Sequence, residues 1–123
     1  MSKRVQLENR LIDFSIKIIN ITEKPPNTYA SNHLGNQILR SGTSPALNYG
    51  EAQRAESKKD FIHKMKICLK ELQETSVILK ILSRKGYEPV NELEIAKKEN
   101  QELIAIFVAS INTSQKQTEI LTS

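Results

Sequence analysis

Tryptophan is absent from this 123-residue chain, and cysteine occurs once, at Cys68. A lone cysteine excludes an intrachain disulfide and a zinc site built from cysteines. It fits a reducing compartment, where free thiols persist. Glycine and proline number four each, too few for the turns of an all-β domain. With three Phe and three Tyr as the only aromatics, a core must be filled by Leu, Ile and Val. No long apolar run follows the basic start Met1-Ser2-Lys3-Arg4, because Glu8, Arg10 and Asp13 interrupt it. The expectation is a cytoplasmic chain without signal peptide or membrane span.

What is present favours helix. Lys, Glu, Leu, Ile, Gln and Ala dominate, all residues that lose little on entering a helix, with Ile the weakest. The length suits one domain, and 38% hydrophobic residues suffice for a core. Spacing divides the chain into four helices, about 5–23, 30–52, 58–85 and 91–117. In the first, Leu7, Leu11, Phe14, Ile18 and Ile21 step by fours and threes, the seam of a bundle, and Ile12, Ile16 and Ile19 are expected to widen its apolar face. Pro25-Pro26 end it. The third helix has Ser57 as its cap with Asp60 three residues on, a variant capping box. Phe61, Met65, Cys68, Leu72, Thr75, Leu79 and Leu82 form its seam, and Gly86 stops it after Arg84 and Lys85. The fourth has Leu93, Ala96, Asn100, Leu103, Phe107 and Ser110 on its seam, with Ile104, Val108 and Ile111 beside them. Short connections make neighbours antiparallel, so the predicted architecture is all-α, an up-down four-helix bundle.

The second helix is the odd one. Leu34 and Ile38 open a seam that passes through Ser41, Pro45 and Asn48. Ser44-Pro45 reads either as a cap followed by proline at the first helical position, splitting the segment, or as a kink within one helix. One kinked helix is the favoured reading. Ser41, Gly42, Ser44, Ala46 and Gly50 would let a neighbouring backbone come close. Asn48 on the seam would need buried hydrogen bonds, and Arg40 and Glu51 could join a network with Lys70 or Glu71 of the third helix. Such a network either fixes register or forms a subunit- or ligand-contact surface.

The formal charge is +4. Between Ser57 and Gly86 the excess of basic over acidic residues is larger than in the whole chain, whereas the fourth helix, with Glu92, Glu94, Glu99 and Glu102, is acidic. Such asymmetry suits a polyanion or a neighbouring subunit. Lys59, Lys66 and Lys70 share one face of the third helix, extended upstream by Lys58 and Arg54. This is either a solvated polar face or a stripe that contacts phosphates, each lysine adding a salt-sensitive increment. Aromatics are scarce along it, so the nucleic-acid backbone rather than stacked bases would be read.

Nothing in the sequence points to catalysis. A bundle-core metal site uses carboxylates with Glu-x-x-His on two helices. The nearest match, Asp60-Phe61-Ile62-His63, occurs once, where Asp60 already serves the helix start. His33 and His63 lack ligand partners nearby in sequence, and Cys68 falls on the core seam, where it packs as a small hydrophobe. Gly35, Gly42, Gly50 and Gly86 are too scattered to cradle a phosphate. No catalytic residue, metal or cofactor is expected.

The run from Gln37 to Gln53, with Ser44, Asn48 and Glu51 as a Ser-x-x-x-Asn-x-x-Glu core, resembles the signature of the bacterial four-helix-bundle family whose founding members are encoded by intervening sequences inside 23S ribosomal RNA genes. Phe61 to Ile67, followed by Leu69 to Thr75, resembles that family's third helix. The resemblance covers nearly the whole chain and makes Arg40, Ser44, Asn48, Glu51 and Glu71 the family's characteristic polar positions. Members are similar in fold to the accessory variability determinant of diversity-generating retroelements, a basic homopentameric barrel that binds reverse transcriptase and nucleic acid. The resemblance implies a ring-shaped homo-oligomer, a pentamer, that binds RNA or DNA. The competing expectation is a protein-interaction scaffold or accessory subunit that docks a reverse transcriptase or another partner protein.

Overall fold

Hydroxyl side chains close the start of three of the four helices. Ser2 Oγ accepts the Val5 amide at 3.2 Å and Thr28 Oγ1 the Ser31 amide at 3.2 Å. Ser57 Oγ accepts the Asp60 amide at 3.0 Å. Each satisfies a donor that the first helical turn leaves unpaired. In this computed structural model, which describes residues 1–122 and side chains to residue 120, the helices are α1 (Lys3–Thr22), α2 (Tyr29–Gln53), α3 (Lys58–Lys85) and α4 (Val90–Thr122). Gly86 ends α3 in the left-handed region at φ 80°. Its amide donates to Ser83 and that of Tyr87 to Leu82, so otherwise unpaired carbonyls of the last turn are used.

The helices pack in chain order around one core. α2 lies along α3, α3 along α4, and α1 along α2, while α1 meets α4 more sparsely. The expected seam residues fill the interior: Leu11, Phe14, Ile18 and Ile21 of α1, Met65, Cys68, Leu72, Thr75, Leu79 and Leu82 of α3, and Leu93, Ala96, Asn100, Leu103 and Phe107 of α4 are buried. Phe61 and Leu7 pack half-buried at the margin. Each fully buried Leu, Ile or Phe contributes about 1.5–3 kcal/mol relative to exposure.

Three sequence expectations change, and one open choice is decided. Ile12, Ile16 and Ile19 do not widen the buried face of α1: they are 43%, 49% and 38% exposed, because α1 has close neighbours on α2 and few on α4. Towards the end of α4, Ile111 and Ser114 take the buried places, while Ser110 stays half-buried and Val108 exposed. α2 runs unbroken through Pro45, which settles the choice in favour of one helix. Ser44 does not cap a new segment; its hydroxyl donates back to the Arg40 carbonyl at 2.6 Å, and that of Thr43 to Leu39 at 2.6 Å. Beyond Pro45 the buried row continues through Tyr49 and Ala52, so Asn48 sits half-buried at the rim with Nδ2 on the Ser44 carbonyl at 3.0 Å. A helix drifts against a strict heptad by about 20° per repeat, enough to exchange one residue for the next.

Candidate nucleic-acid interface

Lys59, Lys66 and Lys70 project from the exposed side of α3. At about 1.5 Å rise per residue they span roughly 16 Å. Among the described residues none of them enters an ion pair, nor does the exposed Arg54 that caps α2. Lys58 behaves differently: its Nζ donates to Gln117 Oε1 of α4 at 3.2 Å and lies 5.7 Å from the centre of the Phe61 ring. It is turned toward α4.

Four glutamates of α4 are engaged away from α3. Glu99 holds Arg10 of α1 in a two-pronged contact of 2.7 and 3.1 Å, and Glu102 lies 3.6 Å from the same guanidinium. The hydrogen bond to Glu99 is the main reason that Arg10 is held further into its charged form. Glu92 pairs with Lys24 at 3.6 Å and Glu94 with Lys97 at 3.3 Å. The acidic first half of α4 thus meets α1, the loop after α1 and itself, while Lys59, Lys66 and Lys70 stay outside any ion pair among the described residues.

The polar positions of α2 form a chain of contacts along the α2–α3 flank. Arg40 bridges two carboxylates one turn apart, Glu71 at 2.8 Å and Glu74 at 2.9 Å. Its charged form is favoured, first by the hydrogen bond to Glu74 and then by Glu71. Glu51 pairs with Lys64 at 3.2 Å, so Lys70, expected as a partner, takes no part. Beneath this row, Ser41 and Thr75 hydroxyls meet at 2.8 Å, both fully buried, and Thr75 Oγ1 also reaches the Glu71 carbonyl at 2.9 Å. Ser44 and Asn48 bond to carbonyls of their own helix. The side chains of Ser44, Asn48 and Glu51 share no hydrogen bond with one another, and the ionic part of the row joins α2 to α3. Sequence reasoning missed Glu74 and Lys64. Glu71 and Glu74, three apart on one helix face, were the available signal for the first.

Cys68 lies wholly within the core with Sγ 3.6 Å from the Pro45 carbonyl, and burial pushes its thiol up to about 12. Among the described residues no cluster of three His, Cys, Asp or Glu side chains could hold a metal ion, and no helix is long and apolar enough to cross a membrane.

Fold and surface together define an all-helical four-helix-bundle protein with a polar row joining α2 to α3 on one flank and, among the described residues, with Lys59, Lys66 and Lys70 outside any ion pair on the exposed side of α3. The chain belongs to the 23S rRNA-intervening sequence protein family, whose pattern matches residues 3–109. In structure it is similar to a protein with unknown function from the S23 ribosomal protein family of Bacteroides thetaiotaomicron VPI-5482. The TM-score is 0.79 at 32% identity, covering 85% of this chain and 97% of that one. None of the curated proteins matches the chain.

Proposed function

We infer that this chain is a non-enzymatic, self-associating protein that binds RNA or DNA through backbone phosphates. The observation that carries this reading is the free state of Arg54, Lys59, Lys66 and Lys70, set against the engagement of the α4 acids. A cation without an internal partner gives its charge to a phosphate at little cost and releases condensed counterions as it does so. A cysteine sealed in the core with a raised pKa is not a nucleophile, which accords with the non-enzymatic part. Family resemblance supplies the ring-shaped homopentamer.

The test is fluorescence anisotropy with labelled single-stranded RNA and duplex DNA across a salt titration. Affinity should fall steeply with salt, and Lys59→Glu/Lys66→Glu/Lys70→Glu should weaken binding to every sequence, with the salt slope reduced by about one per lysine. Equal affinity and slope in wild type and triple variant would remove the α3 stripe as the interface. Absence of binding at low salt, together with a single protein partner in pull-downs, would instead favour the scaffold role.

A further inference from the structure

At the end of the bundle where α1 begins and α2 finishes, an open groove of about 550 Å³ separates α1 from α4. That size falls in the usual range for small-molecule sites, roughly 300–1,000 Å³. Leu7 of α1, Phe61 of α3 and Ile106 of α4 form its apolar walls, with Gln6, Gln53 and Ser110 between them. Lys3 and Arg4 stand at its edge, both exposed and, among the described residues, outside any ion pair. Arg10 also borders the groove, but Glu99 already holds it.

The decisive group is Tyr49. Its residue is only 4% exposed, with the ring edge-on to Phe107 at 5.9 Å between centroids. Its hydroxyl has no hydrogen-bond partner among the described residues, yet it is not sealed in: the side chain lines the groove. Burial raises the phenol above its ordinary value, so it remains a protonated donor directed at the groove. A buried tyrosine normally finds a partner for its hydroxyl. Here a ligand can supply it.

We propose that this groove binds a small amphiphilic anion, with a carboxylate or phosphate head held by Lys3 and Arg4, an apolar body laid against Leu7, Phe61 and Ile106, and an acceptor atom on the Tyr49 hydroxyl. The head meets free cations, the body replaces water on the apolar walls, and the otherwise unpaired donor gains its bond. The α3 lysines play no part in this, so the site stands or falls separately from nucleic-acid binding.

The full-length protein is titrated with 1-anilinonaphthalene-8-sulfonate, whose sulfonate stands in for the anionic head and whose emission rises on leaving water. The expected result is saturable binding that weakens about tenfold or more in Arg4→Glu and about threefold to tenfold in Tyr49→Phe. It should be unchanged in Ile95→Lys, which removes an exposed apolar side chain elsewhere on α4. Displacement by decanoate or by decyl phosphate then separates a carboxylate head from a phosphate head. Non-saturable dye binding, equal affinity in wild type and Tyr49→Phe, an equal loss in Ile95→Lys, or displacement by neither competitor overturns the site. Circular dichroism checks the fold of each variant. Should Arg4→Glu unfold, Tyr49→Phe, which removes a single oxygen, decides the outcome.

Discussion

Asn100 is fully buried in α4, with Nδ2 donating to the Leu72 carbonyl of α3 at 3.0 Å and Oδ1 without a partner. A buried acceptor left unpaired costs about 1–3 kcal/mol. The Leu72 carbonyl, inside a helix, keeps its own intrahelical position when the amide is removed. Asn100→Leu, which keeps the branching and the number of heavy atoms though its methyl groups are larger, is therefore expected to stabilise the fold by about 1 kcal/mol, or roughly 3–6 °C in Tm. Thermal melts at fixed protein concentration measure it, and a lower Tm would show that the amide's link to α3 outweighs its unpaired oxygen. Cys68 makes a second case at this scale. The folded thiol should resist a chromogenic disulfide reagent at pH 8 and react fully once the chain is unfolded. An unfolded cysteine titrates near 9.0 and the buried one near 12. Between these values the unfolded chain releases a proton that the folded chain keeps, so the thiol's contribution makes stability fall as pH rises through that window. Ready labelling of the native protein would place Cys68 outside the core.

At the scale of the element, α2 shows what small residues do and do not accomplish. A Cβ built on Gly42 would lie 2.7 Å from Ile18 Cγ1 and 3.1 Å from Ile18 Cβ of α1, whereas one on Gly50 meets nothing nearer than Arg54 Nη1 at 3.8 Å. Gly42 is thus required by the close crossing of α1 over α2; Gly50 is not. Gly42→Ala should destabilise by about 1–3 kcal/mol through overpacking, reduced by alanine's helix preference of about 1 kcal/mol over glycine. Gly50→Ala, which keeps only that preference, should stabilise. Denaturant midpoints compare the two, and equal shifts in one direction would refute the close crossing. This is also where sequence reading reaches its limit. The unbroken four-three alternation of α3 marks Met65, Cys68, Leu72, Thr75, Leu79 and Leu82 as its buried row, although Ile78 off that row is buried as well and Phe61 on it only half so. In α2 the row thins to Ser41, Gly42 and Pro45, and nothing in the pattern decides between Asn48 and Tyr49 or marks Gly42 above Gly50. Ion pairs such as Arg10 with Glu99 join residues far apart in sequence, and only the packing of α1 on α4 brings them together.

For the whole molecule, the surface of α1 carries the consequence. Val5, Ile12, Ile16 and Ile19 are spaced by seven, four and three residues, so they form one stripe along the helix, 39%, 43%, 49% and 38% exposed. Their spacing is that of a bundle seam, but no helix of the same chain covers it. A spare seam on the least covered helix suits burial against another copy, and the self-association inferred above supplies one. Ile12→Lys/Ile16→Lys places charge in the middle of that stripe without touching the core residues Leu11, Phe14 and Ile18. Size-exclusion chromatography with light scattering should then show an assembled wild type and a dissociated double variant, while circular dichroism shows the same helix content in both. If the wild type runs as a single chain, or the variant keeps its assembly, the α1 stripe is not the contact between copies. Dissociation should also weaken nucleic-acid binding without altering the α3 lysines, because several basic faces joined in one particle act at a high effective concentration and single chains do not.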